Sequence, residues 1–209
     1  MPLRANVQRT AIVLWVAILF CAGISAQPTT DASSRAQFLR RLVAAAVERT
    51  HHAVRYDGAY VGIPYPGGDV PADTGVCTDE IIRVYRAVGV DLQKEVHEDM
   101  AANFAAYPHK PNRTKPDSNI DHRRVPNLMV FFKRKGESLP ISQRPEDFSP
   151  GDLVTYDLGG NVTHIAIVVD RKDGSGHYMI VHNIGQGPKM EDVLFHWKIT
   201  GHYRYYGPV

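Results

Sequence analysis

The sequence predicts an α+β fold in which helices come first and an antiparallel sheet follows. Three observations carry this prediction. Apolar residues recur at helical spacing as far as Lys135, β-branched runs begin only after Pro150, and glycine-, proline- and aspartate-containing turns separate those runs. With 209 residues, 44% hydrophobic and 22% charged, the chain can bury one core of ordinary size. That composition excludes a disordered polar chain, a collagen and a disulfide-stapled miniature domain.

Residues 1–10 hold Arg4 and Arg9, residues 11–22 form an unbroken apolar run, and Gly23-Ile24-Ser25-Ala26 is a small, cleavable stretch. Residues 1–26 thus read as a secretory signal peptide, with 27–209 as a single domain. The apolar run is shorter than the roughly 20 residues a spanning helix needs. A periplasmic or secreted location follows, without a stable membrane span after cleavage; an anchor formed by an uncleaved N-terminal segment is the alternative. Cys21 follows the bulky Phe20, which argues against lipidation at that cysteine. The body that remains carries 22 basic and 22 acidic side chains and all ten histidines. A neutral body has no global electrostatic reason to bind nucleic acid. It is expected to be a monomer.

The elements follow in order. In residues 35–52, Phe38, Leu39, Leu42, Val43, Ala46 and Val47 share a helical face. Residues 56–75, with Pro64, Pro66 and Pro71 among several glycines, form a loop. Residues 78–88 read as a helix stopped by Gly89, with Cys77, Ile81, Tyr85 and Val88 on one face. A helix over 92–106 precedes a proline-rich stretch, 108–126, of the length that functional loops have. Asn127 can cap a short helix over 128–135, ended by Gly136. Strands are expected at 152–157, 164–170 and 178–183, with a last ribbon near 197–205.

Cleavage at Ala26 leaves Cys77 as the one cysteine, so it has no internal disulfide partner. Its place at a helix start favours a thiolate or a developing oxyanion, but Asp79 and Glu80 in the same turn oppose the thiolate. A proton acceptor must come from elsewhere. His164 and His182 lie at the mouth of an expected hairpin turned by Asp173-Gly174. Opposed residues there have an index sum of about 346–348. An even sum puts His182 on the face of His164, and an odd sum puts Asn183 there. His182 is favoured as the third member, with Asn183 as the alternative. His51-His52, Asp121-His122 and the pair His196 and His202 suggest a metal at first sight. Without a His-Glu-x-x-His motif or a second mature cysteine, no metal and no other cofactor is expected. Arg123 and Arg124 suit a substrate carboxylate, unless Asp121 pairs with one of them.

Five segments carry a resemblance: Tyr65-Pro66-Gly67-Gly68, Gly75-Val76-Cys77-Thr78-Asp79, Gly151-Asp152-Leu153-Val154, His164-Ile165-Ala166-Ile167 and Ile180-Val181-His182-Asn183. Together they resemble the NlpC-type cell-wall cysteine peptidases, which have a papain-like fold. Most of the mature chain, including residues 76–100 and 119–132, also resembles a bacterial family known as domain of unknown function 1287. The NlpC resemblance implies Cys77 as nucleophile, His164 as base, His182 as the residue orienting it, and Tyr65 near the oxyanion, with Tyr60 as the alternative. Val76-Cys77-Thr78-Asp79 replaces the family's Asp-Cys-Ser-Gly, the histidines are spaced further apart, and residues 108–126 are extra. The function implied is an exported cysteine hydrolase acting on peptidoglycan amides through an acyl-enzyme. A cysteine transferase or esterase, and a wall-binding domain without activity, are the alternatives. The enzymatic readings all require the Cys77 sulfur to meet an imidazole from the hairpin.

Overall fold

The computed structural model describes Met1 and residues 30–109 and 112–208. Residues 2–26 of the expected signal peptide lie outside the described residues. Among the described residues, no helix is long and apolar enough to cross a membrane.

Helix α1 (Thr30–Arg49) buries Leu42, Val43 and Ala46, the stripe read from its spacing. Helix α2 (Cys77–Ala87) is the centre of the helical layer, and every residue from Cys77 to Tyr85 is buried. One face, with Cys77, Ile81, Val84 and Tyr85, joins the hydrocarbon core. The other face is charged yet also covered, because Glu80 pairs with Arg49 at 2.7 Å and Arg83 pairs with Asp69 at 3.0 Å. Helix α3 (Leu92–Ala102) starts at Asp91, whose side chain accepts from the Gln93 N–H. It stops four residues before the expected end, where Asn103 bonds back to the Asp99 carbonyl and the chain tightens into a 3₁₀ turn at Phe104–Ala106. Helix α4 (Val125–Lys135) begins three residues earlier than expected, since Pro126 is accommodated in its first turn. Asn127 is consequently inside the helix and does not cap it.

Strands β1 (Arg55–Tyr56) and β2 (Thr74–Gly75) form a two-residue parallel pair, with Tyr56 opposite Gly75. The remaining strands build one sheet: β3 (Glu137–Ser138), β4 (Leu153–Asp157), β5 (Thr163–Lys172), β6 (Tyr178–Asn183), β7 (Pro188–Glu191) and β8 (Lys198–Arg204). Their spatial order is β3-β8-β4-β5-β6-β7, and every neighbouring pair is antiparallel. The expected α+β arrangement is therefore present, with a cysteine-headed helix packed on an antiparallel sheet as the NlpC resemblance implied.

Strand alternation divides the core in two. Leu153, Ile165, Ile167, Val169 and Val181 face the helices and pack with Cys77. Val154, Tyr156, Ala166, Val168 and Ile180 face away and pack with Leu194 and Ile199. Phe132 of α4 is fully buried, with the rings of Tyr85, Phe131, Tyr203 and Tyr205 centred 5.5–6.3 Å from its own. Phe132→Ala is expected to lower stability by about 3–5 kcal/mol. Denaturant unfolding checks this, and an unchanged midpoint would mean that the ring cluster does not hold the helices to the sheet.

Candidate active site

The first turn of α2 is shaped before any chemistry begins. Asp79 accepts from the Val76 N–H at 2.7 Å, satisfying a free donor ahead of the helix. Gly75 has a φ of +154°, and a side chain there would meet Asp79 Cβ at 3.0 Å and Arg83 Nη1 at 3.1 Å. Glycine is what lets the chain reach Cys77 along this path. The acids expected to oppose a thiolate are both ion-paired, although Asp79 still opposes it: Arg123 donates to the two Asp79 oxygens at 2.7 and 3.0 Å, and Arg49 and Arg83 donate to Glu80. Burial still pushes the Cys77 thiol up to about 11, so at neutral pH it carries its proton.

Cys77 opens onto a cavity of about 490 Å³ lined by Tyr56, Thr78, His109, Arg124, Asn127 and Thr163 among others. Tyr56 is the residue that sequence reasoning missed. The β1–β2 pair brings it beside the cysteine turn, and its hydroxyl lies against the thiol. Burial, with Cys77 and Asp79 close by, pushes the phenol up to about 12, so it keeps an O–H to donate. The tyrosines expected near the oxyanion are elsewhere. Tyr65 packs on His97 with ring centroids 4.7 Å apart, and Tyr60 makes hydrogen bonds to Asp117 and Asn119. The NlpC resemblance pointed to Tyr65, and the two-residue strand pair that delivers Tyr56 leaves no periodic signal in the sequence.

The histidines come together as a pair. Ile167 opposes Val181 and Val168 opposes Ile180, an even register, and His164 Nε2 lies 2.9 Å from His182 Nδ1. Asn183, the alternative, points to the helix face, where its amide reaches the Gly75 carbonyl at 3.5 Å. His182 Nε2 in turn lies 2.7 Å from Glu191 Oε2 on β7. Neither β7 nor Glu191 was expected. The hairpin joining β6 to β7 pairs His182 with Lys189, so Glu191 is its diagonal neighbour on the same face. The glycines at 185 and 187 were the available signal for this turn.

Proton accounting assigns the tautomers. A carboxylate only accepts, so His182 Nε2 carries the hydrogen donated to Glu191. His182 Nδ1 then accepts from His164 Nε2–H, and the remaining lone pair of the chain is on His164 Nδ1. Among the described residues, nothing hydrogen-bonds to that nitrogen. Burial, reinforced by His182, holds His164 down at about 3; burial also lowers His182 against the opposing pull of Glu191. Both rings are neutral near pH 7. Trp197 packs edge-on against His164 and tilted against His182, and Tyr156 lies on the same side.

One expected contact is not made. Among the described residues no hydrogen bond joins the Cys77 sulfur to either imidazole. The reason is strand alternation: Ile165 faces the helices and the cavity edge, whereas His164 belongs to the face of Ala166 and Val168. The sulfur lies instead near the backbone N–H groups of Ile165, the residue next to His164, and of Thr78 and Cys77 itself. Arg123 likewise departs from the expected substrate role. Besides Asp79 it donates to the carbonyls of Ala59 and Asp57, and Asp121 pairs with Arg113 at 3.6 Å rather than with Arg123 or Arg124. Arg124 remains at the cavity wall. Among the described residues, no group of three or more His, Cys, Asp and Glu side chains is arranged to hold a metal ion.

Residues 43–205 match the model of a family described as "Domain of unknown function (DUF1287)". The chain belongs to this family. Within curated proteins, uncharacterized protein YijF of Escherichia coli K12 is 53% identical over 151 residues, which is 72% of this chain and 74% of YijF. Among solved structures, NlpC2 and NlpC1 from Trichomonas vaginalis superpose with TM-scores of 0.44 and 0.43 at 15% and 12% identity. Each alignment covers 80% of this DUF1287 chain and less than half of the solved one, 46% and 44%.

Three buried histidines of this DUF1287 protein, His122, His164 and His182, are held neutral, with His122 down at about 4 mainly through burial. Unfolding releases each ring to titrate near 6.5. Below that pH the unfolded chain binds protons that the native chain refuses, so stability is complete above pH 6.5 and lost as pH falls towards 4. Urea unfolding between pH 7.5 and 4.5 is expected to show this decline, at about 1.4 kcal/mol per pH unit for each histidine fully engaged. Replacing His122 by Gln should flatten the slope; a flat wild-type profile would contradict the burial of neutral rings.

Proposed function

We propose that this protein is an exported cysteine hydrolase of amide bonds, with Cys77 as nucleophile, His164 as base, and His182 and Glu191 holding the base in its tautomer. One observation carries the reading: a hydrogen-bonded chain from Glu191 through His182 ends in an unengaged His164 nitrogen, and the next residue along β5, Ile165, has its N–H near the Cys77 sulfur. The reading requires the Cys77 thiol and His164 Nδ1 to come within hydrogen-bond reach when substrate binds. Catalytic hydrogen bonds are commonly long without substrate and tighten in its complex.

The raised thiol and depressed imidazole exclude a resting ion pair. The thiol proton passes to His164 Nδ1 as the sulfur attacks the carbonyl carbon, and a carbon–sulfur bond forms. The oxyanion receives the Tyr56 O–H and a free N–H from the first turn of α2. The imidazolium returns its proton to the departing amine as the carbon–nitrogen bond breaks. Water, deprotonated by the same imidazole, then hydrolyses the thioester and restores the thiol. Support for peptidoglycan stem peptides as substrate comes from the signal-peptide pattern and the NlpC-like motifs of the sequence.

Cys77→Ala is expected to abolish release of peptide fragments from purified sacculi, read by mass spectrometry, with unchanged circular dichroism. His164→Ala should lower the rate at least 100-fold. Glu191→Gln, which can still accept a hydrogen bond, should lower kcat by about tenfold and leave KM unchanged. Fragment release by the Cys77 variant at the wild-type rate would overturn the hydrolase reading.

A further inference from the structure

We infer that Arg124 and Asn127 form a subsite for a peptide residue bearing a carboxylate, placed beside Cys77. The inference rests on the cysteine reading for its purpose, and on the cavity alone for its chemistry. Both side chains line the same cavity as Cys77, and no Asp or Glu lines it among the described residues. The two guanidiniums at that wall are not equivalent. Arg123 is neutralised by Asp79 and committed to two backbone carbonyls. Arg124, part-exposed, has no carboxylate partner and no side-chain hydrogen bond among the described residues, so its charge is available to a ligand.

Asn127 supplies the second, independent sign. It is 1% exposed, its amide nitrogen donates to the Asp121 carbonyl at 2.9 Å, and its Oδ1 is buried without a donor. The bond to Asp121 identifies which end of the amide is oxygen. A buried acceptor left unmade costs about 1–3 kcal/mol, and a ligand reaching this one would have to displace the side chains that cover it. Arg124 precedes α4 as its N-cap, Asn127 is in the first turn, and both line the cavity. A fork of donors next to a lone acceptor matches a peptide unit with a carboxylate close to its own N–H. A neutral or cationic acyl donor would leave both groups unanswered. The subsite thus selects anionic peptides for the thiol.

Iodoacetate and iodoacetamide test this on the intact protein without relying on hydrolysis, since they differ in little but the carboxylate. Modification at Cys77, followed by peptide mass spectrometry, is expected to favour iodoacetate in the wild type. That preference should fall about tenfold in Arg124→Gln and largely survive in Arg124→Lys, which keeps the charge. Protection from iodoacetamide by acetyl-Ala-Ala or by acetyl-Glu-Ala-amide tells whether a terminal or a side-chain carboxylate is held; protection by neither overturns the subsite. An equal reagent preference in wild type and Arg124→Gln also overturns it, as does absence of modification by either reagent. If the preference is unchanged but Cys77→Ala abolishes sacculus hydrolysis, the subsite fails and the hydrolase reading stands. If the preference shifts and no hydrolysis occurs, the subsite stands and the hydrolase reading fails.

Discussion

The ion pair between Asp79 and Arg123 is the joint on which the site depends. Asp79 caps the turn that holds Cys77, while Arg123 reaches from the segment before α4 and takes the carbonyls of Asp57 and Ala59 as well. Thr78 completes the knot by donating its hydroxyl to the Arg123 carbonyl at 3.0 Å. Three segments distant in sequence, the Tyr56 loop, the cysteine turn and the Arg124 wall, are thereby held in one arrangement. Both charged groups are buried, with side chains only 2% exposed. Removing either would strand the other charge, a loss of about 3–5 kcal/mol. Such a pair is weak evidence for net stability. Its contribution here is specific geometry, since the same guanidinium fixes the helix start and both loop carbonyls.

That joint also explains why the charged face of α2 is interior. Asp79, Glu80 and Arg83 would ordinarily mark the solvent side of an amphipathic helix. Each has instead an ion-pair partner that covers it, in buried Arg123 and part-exposed Arg49 and Asp69, so α2 is enclosed from Cys77 to Tyr85. Enclosure removes water from Cys77, and it is desolvation that holds the thiol protonated. The same effect keeps His164 neutral on the other side of β5. Under the proposed hydrolase reading, a neutral thiol and a neutral imidazole would exchange a proton only when a substrate carbonyl arrives.

The order of elements, the cysteine at a helix start and the pairing of His164 with His182 were legible, because periodicity and hairpin register are local properties of the chain. Asp173-Gly174 marks the turn between β5 and β6, but its parity was open in the sequence; the pairing shifts between Val168 and Lys172 and is even at Val168 and Ile167. Tyr56 and Glu191 were not legible. Tyr56 is delivered by a strand of two residues, too short to show alternation, and its position depends on Gly75 far along the chain. Glu191 belongs to a strand that starts with a proline and has one buried residue of four. The role of Arg123 was hidden for another reason: its partner Asp79 is 44 residues away, and only tertiary packing brings the two together.

The placement of His164 follows from a conflict between two demands on β5. Ile165, Ile167 and Val169 must face the helices to build the larger core. Strand periodicity then commits His164, like Ala166 and Val168, to the other face, where Tyr156 and Trp197 keep it dry. Shifting the register by one would turn the imidazole toward the helices and remove Ile165, Ile167 and Val169 from the larger core. The structure resolves this at the end of the strand. Pairing of β5 with β6 begins only at Ile167, so the N–H of Ile165 lies outside that ladder, near the Cys77 sulfur. Thiol and imidazole are thus brought to adjacent residues from opposite sides of one strand end. The dry relay behind His164 and the cavity before Cys77 can then be built independently, each from the face that suits it.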